Sequence, residues 1–420
     1  MSDSPKTERV SSNRVALTVV TAIFFMWGFI TVLNDVLIPH LKALFTLDYA
    51  QVMLVQFTFF GAYFLMSLPS GKVVSRFGYR VGIIVGLVIT GIGALLFIPA
   101  AQWQTYPLFL LAFFVLASGI TLLQVAANPY VSLLGPLRLA SSRLNLAQAL
   151  NSLGTFLAPK LGGLLILSTA VLGAVELAKL TPVQQAAYRL QQAHIVQGPY
   201  LGIAIVLFVL AIVVWLFHLP RLENNVEADN SQHGFADALA LRRVWLGMFA
   251  IFVYVGAEVS IGSFMINYLH LPGIGNMSEA RAAGFVSLYW GGAMIGRFIG
   301  SALLTRIDTR RLLAFNATIA ALLVIATMST HGYVAVVTIV AVGLFNSVMF
   351  PNIFTLGIEK FGPLTGRVSS LLVMAIVGGA VIPLAQGALA DHIGLHHAFL
   401  LPLLCYAYIV FYGLKGSRMS

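Results

Sequence analysis

Residues 221–237 read RLENNVEADNSQHGFAD, and this polar stretch separates two long series of apolar segments. Six segments of about 20 apolar residues, each long enough for a helix to cross a bilayer, precede it and six follow it. The twelve begin near Val15, Gln51, Val81, Pro107, Leu144, Tyr200, Val244, Ala283, Leu312, Val334, Val368 and Ala398. The sequence therefore predicts a six-helix bundle over residues 1–220, a cytoplasmic linker over 221–241 and a second six-helix bundle over 242–420.

The composition is that of an integral membrane protein. Hydrophobic residues make up 59% of the chain and charged residues 9%, with a mean hydropathy of +0.92, whereas soluble domains carry about 25% charged residues. Continuous apolar runs exclude a β-barrel, whose strands alternate in polarity and span about 10 residues. Because lipid offers no partner to open backbone groups, the spans must be helices. The expected fold class is an all-α membrane protein with twelve transmembrane helices in two six-helix pseudo-repeats.

Basic residues mark one side of the predicted bundle. Of the 24 Lys and Arg residues, 19 fall in the amino-terminal tail, the carboxy-terminal end or alternate loops between the apolar segments. By the positive-inside rule these parts face the cytoplasm, so both termini are expected there, in a multi-pass protein of a bacterial inner membrane. The net charge of +10 is then a topology signal that suits anionic lipid, and it does not predict nucleic-acid binding.

The sequence lacks the patterns of an enzyme or of a metal protein. Its one cysteine, Cys405, lies in the last apolar segment, so an internal disulfide is excluded and packing is its expected role. Three of the nine histidines, His392, His396 and His397, cluster before the last helix, where a solvated outer loop is expected. The sequence has no Gly-rich phosphate loop and no soluble domain for ATP, so no cofactor is expected and uphill transport would need an ion gradient.

Two sequence patterns recur on both sides of the linker. Residues 60–80 match residues 290–310 at a constant offset of 230, in an aromatic-glycine pair and in two arginines. PYVSLLG at 129–135 likewise matches PNIFTLG at 351–357. Internal duplication of a six-helix unit is typical of transporters whose substrate lies near the bilayer midplane, between the two halves.

Two carboxylates, Asp35 and Glu258, lie deep inside apolar segments, each in the first segment of its half. A charged Asp at the centre of a membrane helix costs about 2.5 to 3.5 kcal/mol on insertion scales, so such a residue usually faces a wet cavity, pairs with a partner or carries a proton. Both acids are therefore candidates for ion coupling. The alternative is a structural acid that is hydrogen-bonded and inert, and for Glu258 the two interpretations stay open.

Uncharged amides and aromatic rings share helix faces in the amino half. Trp27, Thr31 and either Asn34 or Asp35 recur at i, i+4 and i+7 or i+8, so they lie on one face of a helix. An amide side chain can both donate and accept hydrogen bonds, and it has no net charge whose burial would be costly. These properties suit the hydroxyls of a sugar. The alternative is that these amides join helices to one another. The candidate substrate contacts are Trp27, Thr31, Asn34, Gln56, Tyr63, Gln124, Asn128, Gln148, Asn151, Asn267, Trp290 and Asn346.

The loop at residues 71–80 reads GKVVSRFGYR. It resembles the G-x-x-x-D-R-x-G-R-[KR] loop of the major facilitator superfamily, whose glycines allow close helix approach and whose basic residues meet helix ends or acids at the cytoplasmic gate. Ser75 stands where that motif has an acid, so one gate ion pair cannot form in the usual way. Pro129 and Pro351 are expected to interrupt helices, because proline frees a backbone carbonyl for another donor. The gate and structural candidates are Gly71, Arg76, Gly78, Arg80, Pro129, Arg143, Arg297 and Pro351.

Longer blocks resemble one branch of that superfamily. FFMWG at 24–28, LNDVLIPHL at 33–41 and LQVAANPY at 123–130 look like the fucose:proton symporter family. The resemblance spans nearly the whole chain, and it implies that Asp35 is the protonatable acid of the first helix. Gln124 stands where fucose carriers have Glu, which makes the chain more similar to the glucose/galactose transporter branch, which also contains carriers for N-acetylglucosamine and sucrose.

The expected function is import of a sugar, a hexose such as glucose or galactose or a related sugar, by cation symport with alternating access. A proton is the favoured coupling ion and sodium is the alternative. The expected partners are the sugar and the lipid bilayer, and a monomer suffices for this fold. Two other functions stay open at this stage: a proton-coupled drug exporter of the same superfamily, and a sugar sensor that does not transport.

Overall fold

The computed structural model describes residues 16–33, 49–165, 179–217 and 234–419, and these residues are helical almost throughout. Asn34 and Asp35 lie outside the described residues. The helices are α1 (Ala16–Leu33), α2 (Tyr49–Gln102), α3 (Tyr106–Leu133), α4 (Ala140–Leu165), α5 (Pro182–Leu216), α6 (Phe235–Leu239), α7 (Arg242–His270), α8 (Glu279–Leu303), α9 (Thr309–Ser329), α10 (Gly332–Asn346), α11 (Met349–Ile358), α12 (Thr365–Met374), α13 (Gly378–Ile393), α14 (Leu395–Ala398) and α15 (Leu400–Leu414).

The described helices account for twelve membrane crossings, as predicted. Nine helical stretches of the described residues are long and apolar enough to cross a membrane. One of them, Leu54–Gln102, holds two crossings, because Gly78 takes a φ of 80° and breaks the helix between them. The more polar helices α4 and α8 supply the remaining two crossings. Their polar residues face the opposite half of the molecule, as described below, so they need not be apolar on every side.

The amino half (α1–α5) and the carboxy half (α7–α15) meet along a seam in which α2 packs on α12 and α4 packs on α8. Glycines allow the helices of this seam to approach closely. A Cβ added to Gly71 would lie 2.5 Å from the Ser370 Oγ, and a Cβ added to Gly379 would lie 2.8 Å from the Phe60 ring. A larger residue at either glycine would therefore push the two halves apart.

Arginines in the amino half bind the ends of helices. Arg80 Nη2 donates to the Trp215 carbonyl oxygen near the end of α5, at 2.5 Å. Arg143 donates to three backbone carbonyl oxygens at and just after the end of α3. The carbonyls of the last helical turn have no N–H partner within their own helix, so the guanidinium groups satisfy them, whereas the Pro136 carbonyl also accepts from the Leu139 N–H. Arg76 is exposed and lies over the Phe77 ring. The end of the bundle that carries Arg80 and Arg143 is called the basic end below.

The carboxy half uses a carboxylate at the basic end. Glu359 Oε2 accepts from Arg243 Nη2 at 3.1 Å and from Arg310 Nη2 at 2.5 Å. Arg310 corresponds to Arg80 in the internal repeat, but the residue that corresponds to Glu359 is Leu137. The amino half therefore has no acid at that position, which explains why Arg80 binds a carbonyl oxygen instead.

Hydrogen bonds join the two halves near the basic end. Asn145 Nδ2 on α4 donates to Asn352 Oδ1 on α11 at 2.9 Å. The hydroxyls of Ser141 and Thr355 lie 2.6 Å apart, also across the seam. Two more bonds link Ser142 on α4 with Ser301 on α8. The structure is therefore closed at the basic end, which is the predicted cytoplasmic side.

Pro129 supplies one further bond across the seam. It lies inside α3, which continues beyond it, so the expected interruption of the helix does not occur there. Proline has no N–H, however, so the Val125 carbonyl four residues earlier loses its helical partner. The Ser369 hydroxyl on α12 of the opposite half donates to this carbonyl at 3.0 Å. The freed carbonyl expected from the sequence is thus used to join the halves.

Gly71→Leu is expected to open the basic end, because the added side chain collides with Ser370. Ser141 is 6% exposed beneath the closed seam, so a Ser141→Cys thiol reports on opening. We expect its labelling rate to rise several-fold in the Gly71→Leu background. Gly291→Leu is the control, since a Cβ at Gly291 meets no atom within 4 Å. Equal labelling rates in the two leucine variants would contradict the role of Gly71.

Candidate functional site

α1 contributes an aromatic ring to the interior of the amino half. Trp27 is 7% exposed, and its ring packs on Phe24 with centroids 4.7 Å apart. The Thr31 hydroxyl donates to the Trp27 carbonyl oxygen at 2.9 Å, so this group is used within α1. Asn34 and Asp35 follow Leu33 in the sequence and lie outside the described residues.

Gln124 and Tyr63 form a neutral pair between α3 and α2. Gln124 Nε2 donates to the Tyr63 hydroxyl at 2.7 Å, and both side chains are buried. Asn128 lies one turn further along α3 and is fully buried. Neither its amide nitrogen nor its amide oxygen has a hydrogen-bond partner among the described residues. Buried polar groups are rarely left unpaired, so Asn128 is in a position to bind a ligand or an ordered water molecule.

α4 supplies two amides that differ in their surroundings. Asn151 Nδ2 donates to the Phe24 carbonyl oxygen at 2.9 Å, so this nitrogen joins α4 to α1. Gln148, almost one turn earlier, is also buried, but its Nε2 has no partner among the described residues. Of these two predicted sugar contacts, Gln148 therefore has the donor that is available to a ligand.

In the carboxy half, Asn346 is the centre of a buried network. Its Nδ2 donates to the Tyr289 hydroxyl at 2.7 Å, and its Oδ1 accepts from the Tyr406 hydroxyl at 2.8 Å. Its backbone oxygen accepts from the Tyr254 hydroxyl at 3.1 Å. Both side-chain atoms of Asn346 are thus occupied by protein groups. The network holds α7, α8, α10 and α15 together. Asn346, a predicted substrate contact, therefore has a structural role.

The sequence interpretation did not single out Tyr289 or Tyr406. Both are fully buried in apolar helices, and a buried tyrosine hydroxyl normally needs a polar partner. That requirement could have pointed to Asn346 as the shared partner. Spacing along the chain could not, because the three residues belong to three different helices.

Glu258 lies in the middle of α7 and is buried, at 9% exposure. Its Oε1 is 3.8 Å from Arg297 Nη2 on α8, which is an ion pair too long for a hydrogen bond. Arg297 Nη1 donates instead to the Ser152 hydroxyl on α4, across the seam. Arg297 Nε donates to the Ser347 carbonyl oxygen at 3.1 Å. Pro351 leaves that carbonyl without a helical N–H, as Pro129 does for Val125.

The remaining predicted contacts lie at the margins of the described site. Trp290 on α8 is 37% exposed, and its ring covers Gly262 of α7. Asn267 is exposed near the end of α7, and Gln56 is half-buried near the start of α2. The described residues contain no group of three His, Cys, Asp or Glu side chains that could hold a metal ion.

The helix count, the internal repeat and the polar seam define a membrane transporter built from two helical bundles. Residues 16–382 match the model of the Major Facilitator Superfamily, and the chain belongs to that superfamily.

Three proteins illustrate where the chain stands within the superfamily. It is 52% identical over 403 residues to a glucose/galactose transporter of Brucella abortus, across 96% of this chain and 94% of that protein. It is 35% identical over 418 residues to the L-fucose-proton symporter of Escherichia coli, across 97% and 94% of the two chains. A crystal structure of the transporter FucP in the outward conformation superposes with a TM-score of 0.90, at 34% identity, over 97% of this chain and 100% of that one. These relatives are named as transporters, not as enzymes.

Proposed function

We propose that this chain imports a hexose such as glucose or galactose by symport with a proton. The observation that carries the proposal is a set of buried polar atoms, on both sides of the seam, that have no hydrogen-bond partner among the described residues: the Asn128 amide, Gln148 Nε2 and Glu258 Oε1. Each such atom costs about 1 to 3 kcal/mol when it stays unpaired. Sugar hydroxyls both donate and accept hydrogen bonds, so a bound hexose, or water in its absence, would satisfy them.

The chemistry of the amino half favours a neutral, hydroxyl-rich ligand. Gln124 and Tyr63 present an uncharged pair, and Trp27 offers a ring on which the apolar face of a sugar can stack. A glucose/galactose transporter is among the relatives, at 52% identity, which supports a hexose as the substrate. An exporter of amphipathic drugs would need a broad apolar cavity, whereas this site presents a series of amides.

Asp35 and Glu258 are the proposed coupling acids. Carboxyl groups within a membrane protein are costly to ionise, so each can exchange a proton as its surroundings change. Sodium remains the alternative ion, because carboxylates also bind Na⁺. The name of the Escherichia coli relative, an L-fucose-proton symporter, supports the proton.

We also infer the setting in which this transporter works. The basic loops support cytoplasmic termini and a position in the inner membrane of a bacterial cell. The seam is closed at the basic end, so the sugar would enter from the opposite face. Rocking of the two halves about the site would then expose it to the cytoplasm. One copy of the chain suffices for this cycle.

The test is uptake of labelled glucose and galactose into vesicles that contain the purified protein. A proton gradient, a sodium gradient and no gradient are imposed separately. The proposal expects accumulation with the proton gradient and equilibration without any gradient. Accumulation driven by the sodium gradient alone would show that the coupling ion is sodium and not a proton. Outward movement of a dye, or sugar binding without flux, would favour the exporter or the sensor instead.

Gln148→Ala is expected to weaken sugar affinity, because it removes a buried donor that has no hydrogen-bond partner among the described residues. Loss of one such contact should raise the half-saturating hexose concentration about ten-fold or more. Uptake kinetics at fixed pH measure this change. Asn316→Ala is the matched control, since the Asn316 amide nitrogen bonds to the Leu312 carbonyl oxygen of its own helix. An unchanged half-saturating concentration in Gln148→Ala would place the site elsewhere.

A further inference from the structure

Arg297 connects the buried acid of the carboxy half to the opposite half of the molecule. Its three nitrogen atoms face three different groups: Nη2 faces Glu258, Nη1 donates to Ser152 across the seam, and Nε donates to the Ser347 carbonyl oxygen. The Ser152 hydroxyl donates onward to the backbone oxygen of Gln148, one of the proposed sugar contacts. An ion pair followed by two hydrogen bonds thus leads from Glu258 across the seam to the backbone of Gln148 on α4.

The position of Arg297 is fixed by its neighbours. A Cβ added to Gly296 would overlap the Leu344 carbonyl oxygen, so α8 packs tightly on α10 at this point. The Ser347 carbonyl oxygen, left without a helical donor by Pro351, holds the guanidinium Nε. The two Nη groups remain, and they divide between Glu258 and Ser152. The side chain therefore sits between two partners that belong to different halves.

We propose that Arg297 is a positioning residue that ties the protonation of Glu258 to closure of the seam; the group Glu258, Arg297 and Ser152 is called the latch below. The proposal rests on the proposed proton symport. In the closed structure Ser152 holds Arg297, and the guanidinium stays 3.8 Å from the carboxyl oxygen, beyond hydrogen-bonding distance. When the seam opens, Ser152 moves away with the amino half. Arg297 is then free to bind Glu258 directly and to stabilise its charged form.

The proton affinity of Glu258 changes between the closed and open states in the direction that proton import requires. With the basic end closed, the site faces outward and no cation among the described residues is hydrogen-bonded to Glu258, so the carboxyl binds its proton more tightly. With the basic end open, Arg297 becomes that counter-ion and the proton is released toward the cytoplasm. The other described titratable groups that interact with Glu258 are Tyr254 on α7, Tyr289 on α8 and Tyr406 on α15. None of these tyrosines is a cation, so Arg297 is the partner that can drive release.

The test measures closure of the seam as a function of pH, without sugar. Spin labels are placed at Leu137→Cys and Lys360→Cys, two exposed residues on opposite halves at the basic end. Cys405 is buried and stays in place. Because the closed state binds the proton more tightly, acidification should favour closure. A ten-fold difference in proton affinity would change the ratio of closed to open molecules by about ten-fold across the titration.

Four variants, one of them a control, separate the latch from the rest of the seam. Glu258→Gln mimics the protonated acid, so the seam should stay closed and lose this pH response. Ser152→Ala should also lose the response, and Ser152→Thr, which keeps the hydroxyl, should restore it. Ser142→Ala is the matched control on the same helix: it removes a bond across the seam that does not involve Arg297. It should lower closure at every pH and keep the ten-fold response.

The proposal is overturned if Glu258→Gln responds to pH as the parent does, or if Ser152→Ala and Ser142→Ala behave alike. Its failure is distinct from failure of the proposed function, because the measurement needs no sugar. A parent protein that closes on acidification but does not accumulate hexose with a proton gradient would retain the latch and refute the transport assignment. A parent that accumulates hexose with a proton gradient, but whose seam keeps its pH response in Glu258→Gln and Ser152→Ala, would support the transport assignment and refute the latch.

Discussion

Asp35→Asn is expected to abolish uphill accumulation of sugar while leaving exchange of sugar across the membrane intact. Asparagine matches aspartate in size and keeps hydrogen-bonding capacity, but it cannot take up or release a proton. A symporter without its coupling proton can still bind sugar and rock between its two states, so labelled sugar should equilibrate with unlabelled sugar inside vesicles. Gradient-driven accumulation should fall to the level of vesicles without protein.

The control for this variant is Asp391→Asn, which removes a carboxylate that is exposed at the end of α13. It should accumulate sugar as the parent does. Accumulation by Asp35→Asn equal to that of the parent would refute the assignment of Asp35 and leave Glu258 as the candidate coupling acid. Loss of exchange together with accumulation would instead indicate that Asp35 contacts the sugar or supports the fold.

The number and placement of the helices could be predicted because each crossing leaves an apolar run of known length. The two crossings that hydropathy describes least well, α4 and α8, are those that form half of the seam. These helices are made more polar by Asn145, Ser152 and Arg297. Each of these residues also forms a hydrogen bond across the seam. The polar residues that weaken the membrane signal are thus the same residues that join the two halves.

The partners of individual polar residues could not be predicted from the sequence. Gln124 and Tyr63 were both candidate contacts, but they are 61 positions apart, and nothing in the spacing indicates that they bond to each other. Asn346 is a predicted substrate contact, yet tyrosines from two other helices occupy its side chain. An isolated amide in an apolar helix signals that a partner exists, and the identity of that partner depends on how the helices pack.

Gly154→Ala is expected to disrupt the amino half, because α1 and α4 touch there through their backbones. A Cβ on Gly154 would overlap the Phe25 carbonyl oxygen, and a Cβ on Gly28 would overlap the Asn151 carbonyl oxygen. A backbone oxygen cannot rotate away as a side chain can, so the helices must separate. We expect a cost of about 3 kcal/mol, at the upper end for overpacked sites, and a lower midpoint temperature for thermal unfolding.

Gly61→Ala is the matched control, a glycine-to-alanine change inside a helix of the same half, where a Cβ meets no atom within 4 Å. Replacing this helical glycine should be neutral or should stabilise the protein by about 0.5 to 1 kcal/mol. Sugar affinity should fall in Gly154→Ala together with stability, because separation of α1 from α4 moves Trp27 away from Gln148. Equal midpoint temperatures in the two variants would contradict the close contact of α1 and α4. That contact sets the distance between the helix leading to the proposed coupling acid and the helix that carries the proposed sugar-binding amide.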